Sequence, residues 1–203
     1  MDISKAFDTV NHYKLYASLI TSGIPKWILN VIINWYSKLS VVVRWKTALS
    51  NIVYVSSGVR QGSSLSPTLF TLFVNMFVVK VRELNAGYCV NGTFVGCIMY
   101  ADDLIVLSAS VIGLQSLLDC CYQFSITLML KFNCLKSSCS VVGSASKLNI
   151  SKMQLGSISI EWTSSFKYLC VVFNASRKLS VDTDAIKLNF ILRTIVCWVI
   201  LNV

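Results

Sequence analysis

Apolar residues after Pro67 recur in steps of three and four: Phe70, Phe73, Val74, Phe77, Val78 and Val81. That period predicts a helix with one buried face, Ser66 as its N-cap and Pro67 in its first turn. Leu15, Leu19 and Ile20 carry the same period behind Asp8, which could cap or open that helix. Ile28, Val31, Ile32 and Trp35 repeat it after Ser22-Gly23-Ile24-Pro25, with Trp27 and Trp35 read as core or interface packing. Leu114, Leu117, Leu118, Cys121 and Phe124 repeat it behind a Ser110 cap. A last helix is predicted over 182–203.

Elsewhere the pattern favours strands. Ser40–Trp45 and Asn51–Val55 are rich in β-branched residues and predict two strands joined near Ser50-Asn51. Arg44 and Lys46 there suit a phosphate backbone and a solvated face equally. Asn85–Gly92 reads as a turn-rich link. Two apolar runs, Val95–Met99 and Leu104–Leu107, flank Tyr100-Ala101-Asp102-Asp103 and predict a β-hairpin with an acidic tip. Asn133–Ser138 is a polar turn holding Lys136, Ser140–Gly143 a strand, Gln154–Ile160 a small hairpin and Phe166–Phe173 a further strand. The mixture is α+β.

The chain has 203 residues, 55% of them hydrophobic, and a mean hydropathy of +0.65. Disorder is excluded, and some apolar surface is expected to meet a partner, either a further domain or a membrane. The longest apolar run considered, Ile195–Leu201, is too short to cross a bilayer, so no membrane span is expected. The net charge of +9 suits a polyanion or an anionic membrane surface. Eight cysteines form no Cys-x-x-Cys pair, and His12 is the one histidine. A structural zinc is therefore not expected, and most cysteines are expected to be small buried hydrophobes. Met1-Asp2 opens into a polar motif without a signal peptide, which predicts a reducing intracellular compartment, nuclear or cytoplasmic.

Candidate chemistry begins at the acidic tip. Two adjacent aspartates repel each other and gain nothing from burial. A cation shared with a third carboxylate removes both problems, and hard divalent metals take carboxylate oxygens. The bland alternative is an ordinary Asp-Asp turn on a surface hairpin. Gly58–Pro67 is a glycine-bearing loop before a helix, able to approach a ligand closely or to serve as a plain linker. It lacks the Gly-Lys-Ser/Thr of a P-loop. Asp2 sits where a strand would end. Only Met1 precedes it, so that strand reads as missing and Asp2 is expected to fray.

Five segments, taken in order, are specific. Asp2-Ile3-Ser4-Lys5-Ala6-Phe7-Asp8, Gly58–Phe70, Tyr100-Ala101-Asp102-Asp103, Phe132-Asn133 through Lys136-Ser137, and Tyr168-Leu169-Cys170-Val171 together resemble the reverse transcriptase domain of non-LTR (LINE-type) retrotransposons. The resemblance implies a right-hand polymerase palm with part of the fingers over 1–175, and a segment at 176–203 leading toward a thumb or connection. It implies RNA-directed DNA polymerase chemistry, with Asp2, Asp102 and Asp103 as catalytic metal ligands for Mg²⁺, or Mn²⁺ in its place. Phe7 would lie under the incoming sugar and discriminate against a ribose. Arg60, Gln61 and Gly62 would line the nucleotide pocket, and Lys136 would stand near the triphosphate as a proton donor. Tyr168, Leu169 and Cys170 would meet primer and template, with Cys170 where the family has glycine, so that this turn is expected to be distorted. The implied partners are an RNA template, a DNA primer, dNTPs and the remainder of a retrotransposon polyprotein. Read as a fragment, the chain is expected to be a weak or inactive enzyme. The competing readings are a non-catalytic nucleic-acid-binding remnant and a membrane-associated basic protein.

Overall fold

Asn11, not Asp8, starts the first helix. Its Oδ1 accepts from the Lys14 amide at 3.1 Å, and α1 (His12–Thr21) buries Leu15 and Leu19 while Ile20 faces solvent. Asp8 sits in a preceding tight turn, its own amide donating to the Lys5 carbonyl at 3.0 Å, which leaves it outside the helix. In α2 (Lys26–Ser37), Pro25 holds the N-cap position and Leu29, Ile32 and Tyr36 are buried. That stripe is rotated by one residue from the expected one. Trp27 is 70% exposed and so is not core, and Trp35 lies at the rim of the stripe.

The valine-rich region is a narrow ribbon. β1 (Ser40–Val41) pairs with β4 (Val53–Tyr54), and β2 (Arg44–Trp45) pairs with β3 (Ala48–Leu49). The tip is Lys46-Thr47, with Lys46 at φ +55°. Ser50 does not turn the chain; its Oγ accepts from the Val43 amide at 2.9 Å and pins the waist of the ribbon.

α3 (Ser66–Glu83) buries Phe70, Phe73, Val74, Phe77 and Val81 as the periodicity predicts. Its cap is Leu65, and Ser66 is already helical, so the predicted Ser66 cap is not formed. Lys80 and Arg82 in its last turn complement the helix dipole. The link after it contains a hairpin, β5 (Cys89–Val90) with β6 (Thr93–Phe94). Asn91 and Gly92 join them at φ +50° and +77°, the left-handed pair of a tight hairpin turn. β7 (Cys97–Tyr100) and β8 (Asp103–Val106) form the predicted acidic-tipped hairpin, in register Tyr100 to Asp103. α4 (Val111–Leu128) starts at Ser110, whose Oγ accepts from the Gly113 amide at 3.0 Å. Among the described residues α4 is the one helix long and apolar enough to cross a membrane, by length and composition alone, a test that core helices also pass. It also packs Phe124 against Phe77 of α3, ring centroids 4.5 Å apart.

The structure, a computed structural model, describes residues 1–143 and 150–183. They fall into two units, divided between Asn133 and Cys134. In the first, Ile3, Val10, Leu15, Leu19, Phe70 and Phe73 belong to one buried core. In the second, β9 (Met153–Leu155) and β10 (Ile158–Ile160) form the predicted hairpin. β11 (Ser165–Tyr168), β12 (Val171–Ala175) and β13 (Leu179–Val181) form a three-stranded antiparallel sheet. The single strand expected at Phe166–Phe173 is thus two, turning at Leu169-Cys170. Ser140–Gly143 is not a strand; Cys139 alone bridges to Trp162. Residues 184–203 of the expected last helix lie outside the described residues. Among the described cysteines only Cys121 and Cys139 are fully buried, fewer than expected. The architecture is α+β with small antiparallel sheets, as expected.

Candidate active site

Residues 1–4 are hydrogen-bonded on both sides. On one side the Ile3 amide donates to the Asp102 carbonyl at 3.1 Å and the Leu104 amide to the Met1 carbonyl at 2.9 Å. The terminal amino group adds a bond to the Leu104 carbonyl at 2.7 Å. On the other side the Asn133 amide donates to the Asp2 carbonyl at 2.8 Å and the Ser4 amide to the Lys131 carbonyl at 2.7 Å. Ile3 pairs with Phe132 and is buried beneath. The expected fraying of Asp2 is therefore corrected: a short strand is held between β8 and residues 131–133.

The register decides where the carboxylates go. Asp2 pairs antiparallel with Asp103. The bonds flanking that pair, Ile3 to Asp102 and Leu104 to Met1, make it the non-hydrogen-bonded kind, with Cα atoms about 4.5 Å apart and side chains on one face. Like charges directly opposite each other are destabilising, an arrangement a cation favours. Asp102 occupies the turn beside them, next to Ala101 at φ +51°, a left-handed conformation unusual for a side chain bearing a Cβ. All three aspartates are half-buried. Among the described residues no three His, Cys, Asp or Glu side chains form a complete metal-ligand group. The donor set still fits a hard divalent ion, because it is carboxylate oxygen without thiol or imidazole.

The Phe7 turn and the 57–61 loop are bonded into one piece. The Val59 amide donates to the Phe7 carbonyl at 2.7 Å and the Gly58 amide to the Val10 carbonyl at 2.8 Å. Gln61 Nε2 donates to Asp8 Oδ1 at 2.8 Å. His12 Nε2 lies 2.8 Å from the Gly58 carbonyl, so that nitrogen carries the proton, since a carbonyl only accepts. Gly58 sits at φ +90°, where an added Cβ would fall 2.9 Å from the Asp8 carbonyl oxygen. The Phe7 ring stacks on Phe70, centroids 4.9 Å apart and planes at 21°. Arg60, Gln61 and Gly62 are exposed on this loop. Arg60 also faces Tyr36, whose phenol burial pushes up in pKa while Ser66 and Arg60 draw it back.

Lys136 and Tyr168-Leu169-Cys170 belong to the second unit. Lys136 is exposed in a turn. Leu169 and Cys170 take φ +47° and +66°, and Tyr168 pairs with Val171 across them. The cysteine departure leaves a tight two-residue turn in place, with the strain carried by its own backbone. The structure thus joins Asp2 to the 102–103 tip, and Phe7 to the 58–61 loop, within the first unit. Sequence reasoning missed Asp8, His12 and Asn11, the last bridged to Ser57, as the groups that tie that loop down. Three polar residues at the mouth of an apolar helix were the available signal.

Comparison with known proteins bears on the same span. The family described as reverse transcriptase (RNA-dependent DNA polymerase) matches residues 1–173. The chain is 29% identical over 189 residues to the retrovirus-related Pol polyprotein from type-2 retrotransposable element R2DM of Drosophila melanogaster, covering 88% of this chain and 18% of that protein. It is 30% identical over 210 residues to the Pol polyprotein from type-1 retrotransposable element R2 of Bradysia coprophila, covering 93% of this chain and 23% of that protein. The transposon TX1 149 kDa protein of Xenopus laevis is 26% identical over 178 residues, 86% of this chain and 13% of that protein. The chain spans less than a quarter of the length of these curated relatives.

Proposed function

The chain belongs to the reverse transcriptase (RNA-dependent DNA polymerase) family, and on that premise we propose that it carries the palm centre of a retrotransposon polymerase, with Asp2, Asp102 and Asp103 as its catalytic carboxylates. The observation that carries this is the Asp2–Asp103 cross-strand pair at an Asp-Asp hairpin tip. Enzymes of this class use divalent metals, and Mg²⁺ is the ion proposed here, with Mn²⁺ as a substitute. Bound at the three carboxylates, it would supply charge stabilisation for phosphoryl transfer. The protein's own part is to hold Asp2, on a segment bonded along both edges, against the hairpin tip that carries Asp102 and Asp103. Phe7, braced by Phe70, presents a flat wall for the sugar of an incoming dNTP. Arg60, Gln61 and Gly62 offer charge and amide groups to the nucleotide, with Asp8 orienting the Gln61 amide. Lys136 would give a proton to the departing pyrophosphate. Tyr168, Leu169 and Cys170 would contact a DNA primer on an RNA template.

The test is primer extension on an RNA template with Mg²⁺, comparing the chain with Asp103→Asn. Any extension by the parent chain is expected to fall by at least about a hundredfold, the order expected when charge stabilisation of the transition state is removed. Equal extension by the variant overturns the assignment. A second reading, a nucleic-acid-binding remnant without catalysis, is favoured by the lack of a complete three-ligand group among the described residues. RNA binding with no extension by the chain in Mg²⁺ or Mn²⁺ would select it.

A further inference from the structure

Helices α1, α3 and α4 line a groove of about 480 Å³. Small-molecule sites fall in the range of roughly 300–1,000 Å³. Met76 and Phe124 supply apolar wall, Lys14 and Lys80 supply charge, and among the described residues no carboxylate is in the lining. The hydroxyls that reach the groove are committed to their own helices. Ser18 donates to the Lys14 carbonyl at 3.0 Å, Thr21 to the Ala17 carbonyl at 3.0 Å, and Thr127 to the Gln123 carbonyl at 2.9 Å. Lys14 spans from α1 to α4, its ammonium donating to the Thr127 carbonyl, which uses one of its three N–H groups. Lys80 on α3 acts on the lining thiol of Cys120, lowering a pKa that burial raises.

A lining with two cations and no acid selects the sign of its ligand. A neutral apolar molecule would strip water from the ammonium groups without replacing it, and a cation would be repelled. We infer that this groove binds a small anionic amphiphile, its acidic group paired with Lys14 and Lys80 and its apolar body laid against Met76 and Phe124. The site uses none of the residues assigned to polymerisation, so it stands or falls separately from that assignment.

The test follows alkylation of Cys120 by N-ethylmaleimide, read by peptide mass spectrometry on the full chain, with dodecanoate below its micellar concentration as probe. Cys89 and Cys170 are exposed and outside the groove lining, and serve as reference thiols. Saturating dodecanoate is expected to slow Cys120 by at least about fivefold, as occupancy of the groove requires, and to leave the reference thiols unchanged. Dodecyltrimethylammonium is expected to protect little. Ala17→Trp, which fills the groove from α1, should abolish protection. Lys80→Glu, at an exposed position, should weaken dodecanoate and admit the cationic amphiphile. No protection of Cys120, equal protection by the cation, or equal slowing of all three thiols overturns the inference, as does protection by an acidic peptide where dodecanoate gives none.

Discussion

Cys170 holds φ +66° in a turn whose other central residue, Leu169, is also left-handed. A residue with a Cβ gives up about 1–2 kcal/mol there, and glycine recovers most of it, less the greater freedom glycine has in the unfolded chain. Cys170→Gly is therefore expected to stabilise the second unit by about 0.5–1 kcal/mol, read as a higher urea midpoint at unchanged slope. A lower midpoint would mean that the thiol makes a contact worth more than the strain. Phe7 poses a different question, because its ring both packs on Phe70 and is proposed to face the sugar. Phe7→Ala loses stability whatever its role, so the informative quantity is a ratio. The kcat/KM for ribonucleotides relative to deoxyribonucleotides is expected to rise on the order of tenfold, the scale of a steric contact removed from a pocket. An unchanged ratio ends the gate assignment. At this scale the aspartate tip was legible because two charged residues interrupt two apolar runs. His12 and Asp8 were not, because their partners Gly58 and Gln61 stand 46 and 53 positions away.

The element proposed to shape the nucleotide side of the site is the 57–62 loop, and two glycines separate its causes. Both Gly58 and Gly62 are left-handed, at φ +90° and +79°, but a Cβ on Gly62 meets open space while one on Gly58 runs into the Asp8 backbone. Gly62→Ala should cost only the conformational strain, about 1 kcal/mol. Gly58→Ala must also push apart the Phe7 turn and the loop, so a loss clearly above about 2 kcal/mol is expected, together with a weaker KM for dNTP. Equal midpoints for the two variants in urea unfolding would show that the close approach is not maintained in solution. The long elements were readable, since α3 shows its stripe from Phe70 to Val81, about three turns. The short ones were readable only in part. The β-branched stretches Ser40–Trp45 and Asn51–Val55 hold β1, β2 and β4, but strands of two residues offer no alternation to detect, so β3, β5 and β6 were not foreseen. The caps of α1 and α3 were displaced because several polar residues compete near each start. The α2 stripe was missed by one position because Trp27, Val31 and Trp35 form a second apolar face on the same helix, which the structure leaves toward solvent.

Charge is distributed unevenly through the whole molecule. Between Asp8 and Glu83 the sequence has no acidic residue and eight basic ones: Lys14, Lys26, Lys38, Arg44, Lys46, Arg60, Lys80 and Arg82. The basic stretch lies in the first unit, whose ten basic and six acidic residues give it +4, while residues 134–203, with eight basic and three acidic residues, carry the other +5 of the net +9. Composition made this legible, but not the division at 133–134, which falls inside a polar turn that reads like any other. Binding and chemistry place different demands on such a chain. Electrostatic attraction to phosphates tolerates imprecise geometry, whereas catalysis needs its groups within about 0.5 Å of productive positions. Binding of single-stranded RNA is therefore expected to be easier to observe than extension. If about four phosphates are neutralised, log Kd should change with log salt at a slope near 3. Asp103→Asn removes a negative charge from the proposed catalytic centre, so it should bind RNA as tightly as the parent chain or slightly tighter while extension fails. A filter-binding titration between 50 and 200 mM salt, run beside primer extension on the same preparations, checks both halves. Affinity independent of salt would remove the basic surface from the account, and a variant that loses binding together with extension would show that the aspartates hold the fold rather than the chemistry.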